Sequence, residues 1–228
     1  MDATFWLQRW ERGETGFHLG AVNPHLERHF PALGLAPGAR VLVPLAGKSL
    51  DLAWLRERGC EVVAIELSPR AAEACFDGIC EVPRRRALRG GEEWAIAGLR
   101  FLVGDISAFT AADIGLLDAF YDRAALVALP PDLRSAYVAH LAALTRAGAQ
   151  GLLVGFEYPQ AELQGPPFAV EEAEVRRLYG ACYDVAVLAA VDILDDEPRF
   201  KARGVTRLHE RIYRLTRRHD AAPCVESA

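Results

Sequence analysis

The stretch RVLVPLAGKS, residues 40–49, carries an apolar run into Gly47-Lys48-Ser49, and a second apolar run ends on Glu66, 19 residues further on. A phosphate-gripping loop of the form Gly-x-x-x-x-Gly-Lys-Ser/Thr needs a glycine at 42, where Leu42 stands inside the apolar run. Without that glycine the backbone cannot wrap a phosphate. A dinucleotide turn needs three glycines, one for the turn and two for close approach of pyrophosphate and helix. Here Gly47 stands alone. One cleared turn followed by an acid at the next strand end fits a ribose, whose hydroxyls donate to the carboxylate, and does not fit a pyrophosphate. S-adenosylmethionine, a nucleoside bearing an amino acid and a sulfonium, is a ligand of that kind. Taken singly, a glutamate at a strand end is most often only solvated.

The elements that must hold these groups can be read from the apolar runs. Val41–Val43, Val62–Ile65, Phe101–Val103, Leu116–Tyr121 and Leu152–Val154 are short and unbroken. Such runs suit strands covered on both faces, as in a parallel sheet. Between them, residues 49–58 read as a helix closed by Gly59, and Leu133, Tyr137, Leu141 and Leu144 repeat at helical spacing after Pro-Pro-Asp. The alternation predicts an α/β fold with a doubly wound, mostly parallel sheet. Residues 183–194 and 205–216 read as a terminal antiparallel pair around the polar stretch DDEPRFKARG. Residues 1–30 hold Phe5, Trp6, Trp10, Phe17 and His18 among charged residues. They form either a helix packed on the core or a lid over the ligand edge. No linker or repeat interrupts residues 1–228, so a single domain is expected, with 1–30 as the lid segment and 183–217 as the terminal strands.

Net charge is −5, and 51% of the residues are apolar. An acidic chain is a poor non-specific nucleic-acid binder, and the cluster Arg84, Arg85, Arg86 and Arg89 reads as a solvated loop. No segment has the length and apolarity of a membrane span, and the N-terminus lacks a signal-peptide pattern. The expectation is a cytoplasmic protein with no nucleic-acid or membrane partner. Cysteines at 60, 75, 80, 182 and 224 are odd in number and contain no Cys-x-x-Cys pair. They argue against a disulfide framework or a zinc ribbon and for a reducing compartment. No residue cluster has metal-ligand spacing, so no metal is expected.

PLAGKSLDLAWLRERGCEVVAIELSPRA resembles the signature of the thiopurine S-methyltransferases, with Ala46 where that family usually has Cys. WLQRWERGETGFHLGAVNP, GDISAF at 104–109, YDRAALVALPPDLR at 121–134, GPPFAVEEAEVRRLYG at 165–180 and ERIYRLTRR near the end fit the same family in the same order. The resemblance implies a class I S-adenosylmethionine-dependent methyltransferase with a seven-stranded sheet, an antiparallel C-terminal pair and an N-terminal helical lid. Its product would be S-adenosylhomocysteine, its partner a small-molecule thiol or metalloid acceptor, and its state a monomer. By the same resemblance Trp10, Leu45, Glu66 and Arg123 match cofactor-contact positions, and Asp105 and Ile106 match the place where adenine is held. Arg177 matches an arginine facing the thiopurine in animal relatives, and Arg123 a residue near the acceptor. The bland alternative for Arg177 is a surface pair with Glu174. His18 is either a hydrogen-bond partner or base for the acceptor, or a packing residue of the lid. Asp122 is expected to fix its own turn. Selenium and tellurium compounds are further candidate acceptors, in a detoxifying role. The rivals are a halide or thiocyanate methyltransferase and a non-catalytic nucleoside-binding sensor.

Overall fold

A computed structural model of the chain describes residues 3–16 and 18–219; Phe17 and Cys224 lie outside the described residues. The chain divides into two compact units, one up to Tyr121 and one from Asp122 onward.

In the first unit, helices α1 (Ala3–Glu11) and α2 (Pro24–His29) precede the strand β1 (Arg40–Pro44). Asn23 starts α2: its side-chain oxygen accepts from the amides of His25 and Leu26, and Pro24 fills the first helical position, where no amide is needed. After β1 come α3 (Asp51–Glu57), β2 (Glu61–Glu66), α4 (Pro69–Ile79), β3 (Arg84–Leu88), β4 (Gly91–Ile96), β5 (Leu99–Val103), the single turn α5 (Ala111–Ile114) and β6 (Leu117–Asp122). The helix expected at 49–58 is thus α3, and Gly59 follows it with φ 81°.

β1 pairs in parallel with β2 and β6, and β2 in parallel with β5. Val41, Leu42, Val62, Val63, Ala64, Phe101, Leu102, Ala119 and Phe120 are all buried, as unbroken apolar runs require when both sheet faces are covered. Register does the positioning. Pro44 stands opposite Ile65, and Glu66 opposite Val103. The carboxyl ends of three neighbouring strands therefore reach one edge together.

The mostly parallel arrangement is as expected, but the strand number is not. The stretch expected as a solvated loop, Arg84–Arg89, is mostly β3, which pairs antiparallel with β4, and β4 with β5. These two strands bring the described total to nine, against seven expected. Arg85 stacks 3.4 Å above the Trp94 ring, and Arg86 and Arg100 both bind Glu93. The basic residues are thus built into a hairpin. Trp94 is buried against Phe76, with ring centroids 6.1 Å apart.

The second unit contains α6 (Pro131–Leu144), β7 (Thr145–Glu157), α7 (Glu172–Tyr179), β8 (Tyr183–Asp192), the short α8 (Pro198–Ala202) and β9 (His209–Arg217). β9 pairs antiparallel with both β7 and β8, which realises the expected terminal pair. Its apolar cluster joins Tyr158, Leu163, Ile193, Val205 and Leu208. Cys60, Cys75 and Cys80 are free, but Cys182 is disulfide-bonded, which the expectation of a reducing compartment and no disulfide framework did not foresee. A single crosslink needs only proximity in the fold, which sequence spacing does not reveal. Among the described residues no helix is long and apolar enough to cross a membrane, and no cluster of His, Cys, Asp and Glu could hold a metal.

Candidate active site

The turn after β1 is tightly wound. Leu45 has φ 49° and Gly47 φ 55°, so a bulky residue sits in the left-handed region beside a glycine that takes it freely. Such cost in a non-glycine residue, of order 1–3 kcal/mol, persists only where the surroundings enforce it. Here the Ala46 amide bonds to the Ile65 carbonyl, at 3.0 Å, which ties the turn to β2.

Glu66 completes the link. Its two carboxylate oxygens accept the amides of Gly47 and Ser68, each at 3.0 Å. The side chain is buried at 8% exposure. Burial pushes its carboxyl above the ordinary range, while the amides of Ser68, Gly47 and Leu67 oppose the shift. A carboxylate offers about four acceptor sites, so the three amides leave capacity for a ribose hydroxyl. The residues present therefore fit a nucleoside cofactor. On the next strand, the Gly104 amide bonds to the Glu66 carbonyl at 2.9 Å. Asp105 then accepts the amide and hydroxyl of Ser107, at 2.8 and 2.7 Å, and so caps the short helical turn that begins at Ile106. Leu45, Gly47, Glu66, Asp105 and Ile106 thus lie at three adjacent strand ends, the edge at which open α/β sheets bind ligands.

Trp10 is the buried residue of α1. Its ring meets the His18 imidazole edge-on, with centroids 5.2 Å apart. His18 lies against the turn, its Nε2 accepting the Lys48 amide at 2.9 Å.

Sequence reasoning missed Asp51. Buried at the start of α3, it accepts the Asn23 amide at 2.8 Å and the Tyr121 hydroxyl at 3.1 Å. It joins the N-terminal segment, the first helix after the turn and the end of β6. Its partners lie 28 and 70 residues away, so the only local signal was an acid in the first turn of a helix.

Arg123 and Arg177 belong to the second unit. Arg123 follows Asp122, whose Oδ1 accepts the amides of Ala125 and Leu126, at 3.0 and 3.2 Å, and whose Oδ2 accepts the Tyr137 hydroxyl at 2.8 Å. Asp122 therefore fixes the turn that carries Arg123, as expected. Burial raises its carboxyl to about 6. Arg177 stands on α7 with its side chain 64% exposed, 3.8 Å from Glu174. Glu174 also takes the buried Arg134 at 2.8 Å. This is the geometry of a solvated helix pair.

Similar architectures recur among solved structures. The 1,6-didemethyltoxoflavin-N1-methyltransferase of Burkholderia thailandensis, crystallised with S-adenosylhomocysteine, aligns with a TM-score of 0.64 at 19% identity, covering 95% of this chain and 87% of its own. The magnesium protoporphyrin IX methyltransferase of Synechocystis PCC 6803 aligns with a TM-score of 0.62 at 16% identity, covering 95% and 100%. The fold is that of the S-adenosylmethionine-dependent methyltransferases. At the level of sequence, the family model described as Thiopurine S-methyltransferase (TPMT) matches residues 1–218. The protein of that name from Azotobacter vinelandii is 48% identical over 218 residues, 96% of this chain and 100% of its own. That from Xanthomonas campestris pv. campestris strain 8004 is 49% identical over 217 residues, 95% and 100%. The chain belongs to the thiopurine S-methyltransferase family, and its methyl donor is S-adenosylmethionine.

Proposed function

We propose that this enzyme methylates the sulfur of thiopurines and other aromatic thiols by direct in-line displacement, with selenium and tellurium compounds as softer acceptors of the same kind. The family match over residues 1–218 carries the reading. Bound at the strand ends, the cofactor supplies an electrophilic methyl carbon on a sulfonium. Glu66 would hold the ribose hydroxyls, Asp105 and Ile106 the adenine, and the turn at Leu45–Gly47 the neighbouring part of the nucleoside. Trp10 would exclude water. The family resemblance assigns Arg123 and Arg177 to the acceptor, where a guanidinium brought close would raise the thiolate fraction of a thiol; Arg177, solvated beside Glu174, would have to turn toward it. A thiolate is already a good nucleophile, so no covalent intermediate with the protein is required. Holding the reactants aligned can supply about 7–11 kcal/mol of the barrier. The acceptor is a small molecule, and the chain acts as a cytoplasmic monomer in this reading. The test is transfer of labelled methyl from S-adenosylmethionine to a panel of aromatic thiols, selenols and tellurite. Label on sulfur supports the proposal; no transfer to any aromatic thiol overturns it.

A further inference from the structure

We infer that His18 is a positioning residue whose neutral imidazole latches the N-terminal segment onto the Gly47–Lys48 turn and whose protonation at Nε2 releases it. The geometry selects one form of the ring. Nε2 accepts the Lys48 amide at 2.9 Å, and Nδ1 lies 3.2 Å from the Thr15 carbonyl. A carbonyl can only accept and an amide N–H can only donate, so the proton sits on Nδ1 and Nε2 is bare. A second proton on Nε2 would set two N–H groups against one another.

The fit around the ring is close. A Cβ on Gly47 would fall 2.1 Å from Nε2, so the glycine clears the space the imidazole occupies. Trp10 of α1 packs against the ring edge-on. Two of the segment's attachments differ in character. At Asn23 the bond to Asp51 is buried, whereas at His18 the bond to Lys48 is exposed. Water reaches the second, and imidazole is the side chain that ordinarily changes charge between pH 5 and 8. His18 lines a cleft of about 710 Å³ together with Lys48 from the turn, Arg56 and Glu57 from α3, and Glu81 beyond α4. Arg56 and Glu81 pair at 2.6 Å. The neighbouring Gly47 amide donates to Glu66. Release of the latch would free the turn that the proposed cofactor site uses; only this consequence rests on the methyltransferase reading.

The test is hydrogen exchange of residues 3–22 in the ligand-free full chain at pH 8 and pH 5.5, corrected for intrinsic rates. Wild type should exchange about fivefold faster at pH 5.5, the effect of losing roughly one hydrogen bond. His18→Gln keeps a neutral acceptor, so its exchange should be alike at both values. His18→Phe keeps the ring against Trp10 without an acceptor, so it should exchange fast at both. A His18→Gln protein that loses protection at pH 5.5 as wild type does overturns the latch, as does a His18→Phe protein protected like wild type at pH 8. Should His18→Phe fail to fold, the comparison of wild type with His18→Gln still decides. Calorimetry with S-adenosylhomocysteine at both pH values reads the consequence for the site. Glu66 is common to wild type and His18→Gln, so only the difference between them reports on His18. Exchange that follows the latch without any turnover would separate the latch from a failed methyltransferase reading.

Discussion

The Glu66 carboxylate ties the Gly47 turn to β2, and in the proposed site its remaining acceptor capacity takes a ligand. Glu66→Ala removes both, and affinity for S-adenosylmethionine should fall by about 1.5–3 kcal/mol, the range for hydrogen bonds to a charged group. Titration calorimetry on the folded variant measures it, and unchanged affinity would take Glu66 out of the site. Asp122 gives a pH prediction of an unusual sign. Its carboxyl is raised from 3.8 to about 6 in the folded chain, so between those values the folded state binds the extra proton. Stability therefore falls as pH climbs from about 4 to about 6 and is level above, by about 3 kcal/mol in total at 1.36 kcal/mol per pKa unit. Asp122→Asn cannot titrate and keeps an oxygen for the amides of Ala125 and Leu126. Urea unfolding at pH 4, 5, 6 and 7 should show the stability of wild type relative to this variant dropping across the range. A constant difference would mean that folding leaves the Asp122 carboxyl at its ordinary value.

Among the elements, β1, β2, β5 and β6 were legible because strands covered on both faces must be apolar throughout. α6 was legible from its helical spacing and its Pro131 start. The hairpin β3–β4 was not, because β3 is exposed along Arg84–Ala87 and needs no apolar face. Its strand character comes from pairing with β4 and from Trp94, not from its own composition. β7 was read only through Leu152–Val154, since its first half, TRAGAQ, holds no large apolar residue. In the candidate site, the placing of Gly47 and Glu66 at neighbouring strand ends could be read because residue type and strand end coincide. Asp51 could not, because its role exists only through distant partners. The hairpin also bears on the site. A Cβ on Gly91 would fall 2.0 Å from the Val103 carbonyl oxygen, and one on Gly104 would fall 2.4 Å from the Gly90 oxygen. The hairpin turn thus rests on the backbone that leads into Asp105. Gly104→Ala would push two backbones apart, at about 1–3 kcal/mol for an overpacked contact. Thermal unfolding should report that loss, and calorimetry a weaker cofactor. If stability drops while affinity holds, the hairpin supports the fold without aligning Asp105.

At the scale of the whole molecule, the sheet of the first unit ends at β3, whose far side pairs with no strand among the described residues. An unpaired edge is a template on which other chains can extend a sheet, and charged side chains along it are a standing deterrent. On a chain of net charge −5, these arginines are a local concentration of the opposite sign. Edge-to-edge pairing of two copies would bring like charges together, which disfavours it. Arg84→Thr with Arg86→Thr should leave the chain folded but make it turbid on gentle heating, at a rate that rises steeply with protein concentration. Light scattering of the double variant beside wild type measures this, and indistinguishable traces would mean that the edge is guarded by something else. If the traces diverge, this strip of arginine governs how crowded a solution the enzyme can tolerate before it precipitates, a property under separate selection from its chemistry.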